Sequence, residues 1–144
     1  MILVDVNLLL YSRIAAFAEH SPARRWLENS LTGPQRVGLP WPSLLGYVRI
    51  ATNPRAFHNA LSVDQAWSHV IDWLDRPAAW IPVPGDRHRD QLTALMQVGS
   101  ITSRLVSDVH LAALAMEHGL QIASTDGHFA RFPGLRWYNP IAAG

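Results

Sequence analysis

Three aspartates fall where an α/β chain could bring them together: Asp5 and Asp126 at the ends of apolar runs, Asp108 in the opening turns of a long helical pattern. Carboxylates drawn from separate elements are hard oxygen ligands suited to Mg²⁺ or Mn²⁺, and a cation held this way is a device for hydrolysing phosphodiesters. Asp5 is the most demanding of the three. It follows Ile2-Leu-Val4 and precedes Asn7 and Leu8-Leu-Leu10, so its charge is carried into apolar surroundings and must be paired, protonated or bound to a cation. A plainer reading stays open beside this one, because Asp and Asn both suit a helix N-cap and strand-end aspartates commonly serve as caps.

Positioning these groups is a task for the chain between them. Residues 1–4 read as a buried strand delivering Asp5 at its C-terminal end, and Leu8 to Phe17 as an apolar helix. Ser21-Pro22 opens a second helix, which Thr32-Gly-Pro34 stops. Residues 36–40 form a second strand, and Trp41-Pro-Ser43 starts a helix that Asn53-Pro54 ends. Ser62-Val-Asp-Gln65 has the form of a capping box for a helix through Leu74. Residues 79–83 make a third strand, 86–98 a helix, and 103–118 the longest helix, with Gly119 as its C-cap. Residues 120–124 form a fourth strand ending at Thr125-Asp126, and 135–138 a candidate fifth. This alternation predicts a single α/β domain over residues 1–144 with a mainly parallel sheet of four or five strands and helices on both faces. Such a sheet gathers the C-terminal ends of neighbouring strands at one edge, where ligands bind.

Composition narrows the chemistry. Cysteine is absent, which excludes thiolate metal sites and cysteine nucleophiles and fits a reducing, cytoplasmic setting. All 12 basic Lys+Arg residues are arginines, so any reaction requiring a lysine is excluded as well. Phosphatases and receivers that form an aspartyl phosphate need that lysine, and no G-x-G-x-x-G follows the first strand to support a dinucleotide fold. The seven histidines show no metal-binding spacing, with His88, His110 and His118 scattered singly. Neither a signal peptide nor a membrane-spanning run is legible, so no membrane association is expected.

Four segments carry a resemblance: Met1 to Tyr11, Leu44 to Phe57, Leu105 to Gly119 and Ser124 to Phe132. In that order, and across nearly the whole chain, they resemble a PIN domain of the VapC toxin type. The resemblance implies a three-layer α/β/α fold and a metal-dependent endoribonuclease working with Mg²⁺ or Mn²⁺. It further implies the toxin half of a toxin–antitoxin pair, acting on RNA, bound by a VapB-like antitoxin and assembled as a homodimer. Asp5, Asp108 and Asp126 match the family's first, third and fourth acids, as catalytic and metal-holding residues. Asn7 and Thr125 match the polar residues beside the first and last acids. One position departs, since Gly46 stands where the second acid is usual. The departure raises an alternative, a PIN-like module that binds RNA or antitoxin with weak or lost nuclease activity.

Two further residues are candidates for holding substrate. His128 lies two positions after Asp126, and Arg49 lies one helical turn after Gly46, where it could reach a phosphate. Ordinary solvated roles are open to both.

Overall fold

The computed structural model describes residues 1–142. Five strands form one sheet: β1 (Ile2–Val4), β2 (Val37–Gly38), β3 (Ala79–Trp80), β4 (Gln121–Ala123) and β5 (Trp137–Tyr138). Six α-helices connect them: α1 (Val6–Arg13), α2 (His20–Thr32), α3 (Trp41–Ala51), α4 (Val63–Leu74), α5 (His88–Met96) and α6 (Val106–His118). The strand order is β3-β2-β1-β4-β5, and every pairing is parallel. This is the α/β/α sandwich expected from the alternation of patterns.

Parallel strands must be apolar on both faces, and β1 shows it in three residues. Val4 joins the core beneath α1 to α4 with Leu8, Leu44, Tyr47 and Trp73, whereas its neighbour Leu3 turns to the opposite core with Val109, Ala113, Ile122 and Phe129. All of these are buried. The strands are shorter than the apolar runs suggest. Residues 39–40 and 81–83 lie beyond the ladder, because the backbone leaves the sheet there to start a helix or turn, with Leu39, Pro40 and Pro82 still buried and Val83 exposed. Helix α1 likewise ends at Arg13, and Phe17 packs from the following turn against Tyr11 and Phe57.

Local signals explain the boundaries. Ser62 and Gln65 form the reciprocal capping box of α4, and Gly119 ends α6 at φ +68°, a left-handed conformation that favours glycine. Ser43, in the first turn of α3, donates its hydroxyl to the Val4 carbonyl at 2.7 Å and pins that helix to the end of β1. Gly46 lies one turn further along α3. A Cβ there would sit 3.2 Å from Cγ2 of Val6, so the glycine permits a close crossing of α3 over the start of α1.

Candidate active site

The sheet order reverses between β1 and β4, whose connections run to opposite sides, and a crevice opens there at the strands' C-terminal ends. Val4 pairs with Ala123, and the Asp5 N–H donates to the Ala123 carbonyl at 3.1 Å. The register therefore sets Asp5 beside Ser124. Asp5 is only 6% exposed, and its carboxylate is held by three donors. The Val6 N–H reaches Oδ1 at 2.8 Å; the Ser124 hydroxyl and the Asn7 amide reach Oδ2 at 2.7 and 3.4 Å. Ser124 Oγ in turn accepts from Asn7 Nδ2 at 3.1 Å and from the Asp126 N–H at 3.0 Å, while the Thr125 N–H faces Asn7 Oδ1 at 3.5 Å. One buried hydroxyl thus joins the first and last aspartates and the polar residue between them.

Capping and site-building coincide at both strand ends. Asp5 N-caps α1, and Asp126 caps the short 3₁₀ turn Gly127–Arg131 by accepting from the His128 N–H at 2.9 Å. The His128 imidazole stands 3.5 Å from the same oxygen. Asp108 enters from the first turn of α6 and shares a cleft with Asp126, His128, Arg131 and Arg104.

The electrostatics are those of negative charge collected without an equal countercharge. Burial pushes the Asp5 carboxyl above the usual range against the lowering effect of its Ser124 and Val6 hydrogen bonds, and Asp126 adds repulsion. Asp108 is raised to about 6, first by burial and then by the charges of Asp5 and Asp126, with His128 and Arg131 offsetting part of the rise. Neither Asp5 nor Asp108 has an ion-pair partner among the described residues. As a donor set, hard oxygens in electrostatic contact with each other fit a dication. As the side chains lie, no three histidine or acidic groups among the described residues stand close enough to share one ion. Oδ2 of Asp5 is occupied by Ser124 and Asn7, and Oδ1 of Asp126 by His128.

Comparison with known proteins settles the family. No protein-family model matches the chain. It is, however, 42% identical over 142 residues to Ribonuclease VapC37 of Mycobacterium tuberculosis, covering 99% of both chains. The chain belongs to the VapC ribonucleases. Ribonuclease VapC33 of the same species is 38% identical over 141 residues, 98% of this chain and 99% of the relative. Among solved structures, VapBC2 from Rickettsia felis bound to a DNA fragment from its promoter superimposes with a TM-score of 0.68. It covers 96% of this chain and 98% of that one at 17% identity. M. tuberculosis VapC20, described as a sarcin-ricin loop cleaving toxin, gives 0.66 over 94% and 99% of the chains at 18% identity. At those identities the structures speak for the fold alone.

In this VapC chain, Asp5, Asn7, Thr125, Asp126 and His128 meet through direct hydrogen bonds, and Asp108 joins them through its charge. Arg49 is not bonded to them: it is exposed near the end of α3, and its side chain makes no hydrogen bond or ion pair among the described residues. Sequence reading missed Ser124 as the hub. Its signal was the parallel register, which places the residue after β4 beside the residue after β1. It also missed Arg104 and Arg131, and it left His88 and His110 apart. Their rings meet across α5 and α6, His88 Nε2 lying 3.1 Å from His110 Nδ1, with Glu117 3.3 Å from the other His88 nitrogen.

Proposed function

We propose that this chain is a Mg²⁺- or Mn²⁺-dependent endoribonuclease, the toxin of a toxin–antitoxin pair, and that Asp5, Asp108 and Asp126 hold the cation. The observation that carries the reading is that three acidic groups near the sheet's switch point feel one another's charge, two of them raised in pKa and none balanced by lysine. Relatives named VapC ribonucleases, matched over nearly their whole length, support the same activity. They lend nothing to the alternative of a module that no longer cuts.

When bound, a divalent cation supplies an activated water and neutralises charge on the phosphate. The chain supplies placement. Three donors hold the Asp5 carboxylate in place at the end of β1, where it would be one of the groups to hold a cation. Ser124 transmits that position to the Asp126 backbone, keeping both strand-end carboxylates in register. The Asn7 amide oxygen faces the Thr125 N–H at 3.5 Å, and His128 presents an N–H near Asp126, where a phosphate oxygen could accept it.

The same reading extends to partners. A VapB-like antitoxin, a homodimeric assembly and a cytoplasmic site of action are proposed with it; among the described residues no helix is long and apolar enough to cross a membrane. An antitoxin that sets an Arg or Lys side chain against the raised carboxylates would compete with the cation for them. The deciding experiment is cleavage of structured RNA by the purified protein, with and without Mn²⁺, beside Asp5→Asn. Metal-dependent cutting lost in the variant is expected. Equal cutting by Asp5→Asn in chelated buffer would overturn the assignment.

A further inference from the structure

Two guanidinium groups line the cleft beside Asp108 and Asp126, and their bonding differs. Arg131 is engaged at all three of its nitrogens. Its Nε donates to the His128 carbonyl at 3.2 Å, and its Nη1 to the Ser100 carbonyl and hydroxyl at 3.3 and 3.2 Å. Its Nη2 meets His128 Nδ1 at 3.3 Å. Arg104, by contrast, is exposed and makes no hydrogen bond or ion pair among the described residues.

The chemistry of the Arg131–His128 contact is one-directional. A guanidinium has only donors, so His128 Nδ1 must accept, and the proton of the neutral ring then sits on Nε2. That nitrogen is the one standing 3.5 Å from Asp126, at the cleft. The same fork bonds Ser100, a residue of the loop between α5 and α6 with φ +70°. We propose that the two arginines divide the work: Arg131 is a positioning residue that presents the Nε2–H of His128 to the substrate, and Arg104 is the ligand for a phosphate of single-stranded RNA. The inference rests on the nuclease reading above. Were both arginines present only for their charge, they would be interchangeable and lysine would serve at either position.

Two measurements that need no cleavage test it, alongside one that does. Long-range ¹H–¹⁵N correlation of the His128 ring, in chelated buffer, should show the Nε2–H form in the wild type and a mixture in Arg131→Ala and Arg131→Lys alike. An unchanged ring in both variants, or full restoration by lysine, overturns the positioning role. Anisotropy of an unstructured RNA dodecamer, read across salt on an Asp5→Asn background, should show Arg104→Ala lowering the log–log slope by about 0.7, as for one lost single-strand phosphate contact. Arg104→Lys should recover that slope, and Arg131→Ala should leave it alone; equal slopes for Arg104→Ala and its parent overturn the phosphate assignment. In cleavage, Arg131→Ala should lower kcat by about tenfold or more with KM held, and Arg104→Ala should raise KM with kcat held. The reverse split overturns the division. Asp5→Asn cutting at the wild-type rate would instead sink the nuclease site itself, leaving the ring and anisotropy results to stand or fall separately.

Discussion

Ser124 donates its hydroxyl to Oδ2 of Asp5 at 2.7 Å, joining residues 119 positions apart at the meeting point of β1 and β4. The serine is fully buried, and the same oxygen accepts from Asn7 and Asp126. Ser124→Ala strips a donor from a carboxylate already disfavoured by burial and leaves two donors without an acceptor. We expect a loss of about 1–3 kcal/mol of stability, measured by urea denaturation at neutral pH, together with reduced cleavage. A change below roughly 0.5 kcal/mol, the range of ordinary surface substitutions, would mean that water replaces the hydroxyl freely.

Asp108→Asn should abolish RNA cleavage and raise the melting temperature of the metal-free protein. The sign follows from the direction of the shift. The folded-state pKa of Asp108, about 6, lies above the ordinary carboxyl value, so the folded protein favours the protonated form. Its contribution to stability is present below about pH 3.8, in the range of unfolded aspartate, and is lost as pH rises through about 6. Thermal melts in chelating buffer between pH 4 and pH 7.5 should show the wild type losing ground relative to Asp108→Asn across that window. Parallel curves would show that the carboxylate feels neither burial nor its neighbours.

Gly46 is explained by contact, since an added Cβ would press on Val6 at 3.2 Å. Val6 is only partly buried at the start of α1, so it can yield. Gly46→Ala should therefore fold, its gain of up to about 1 kcal/mol in helix propensity largely offset by crowding. On a Val6→Ala background that makes room, Gly46→Glu should tighten Mn²⁺ binding and raise cleavage at low metal concentration. Calorimetric titration showing no tighter binding than in Val6→Ala alone would mean that position 46 does not face the acidic groups.

Expression of the chain alone should arrest bacterial growth, and Asp126→Asn should relieve the arrest at equal protein level. Asp126 holds the turn Gly127–Arg131 as well as bearing charge, so the asparagine is the informative change: it keeps the cap oxygen and removes the charge. Growth curves with immunoblots check this. Unimpaired growth with a purified protein that still cuts RNA would remove the toxin assignment.

Much of this arrangement could be read from residue order. Asp5 and Asp126 were found because an acid ending an apolar run is conspicuous, and the alternation of patterns carried the sheet and its helices. At Asp5 the helix cap is what the structure shows, and the same carboxylate sits in the cluster around Ser124, so the cap and a functional role do not exclude one another. Ser124 was invisible for the opposite reason: a serine at a strand end is unremarkable until the pairing partner is known. The register of β1 on β4 is a tertiary fact, written nowhere in local sequence. The contact of His88 with His110 is equally non-local, spanning two helices that pack antiparallel across a loop. Arg49 stands exposed on α3, and spacing along that helix says where its side chain starts and not what it binds.

The central position of β1 has a consequence for how the protein comes into being. Its partner β4 is made more than a hundred residues later, so the first aspartate has neither Ser124 nor Asp126 beside it while most of the chain is still being synthesised. At about 5–20 residues per second, that delay is on the order of ten seconds. A nascent chain halted anywhere before β4 lacks both the Ser124 hydroxyl that holds Asp5 and the carboxylate of Asp126, and one halted before α6 lacks Asp108 as well. The hydrogen-bonded cluster around Asp5 is therefore complete only when the chain is nearly finished.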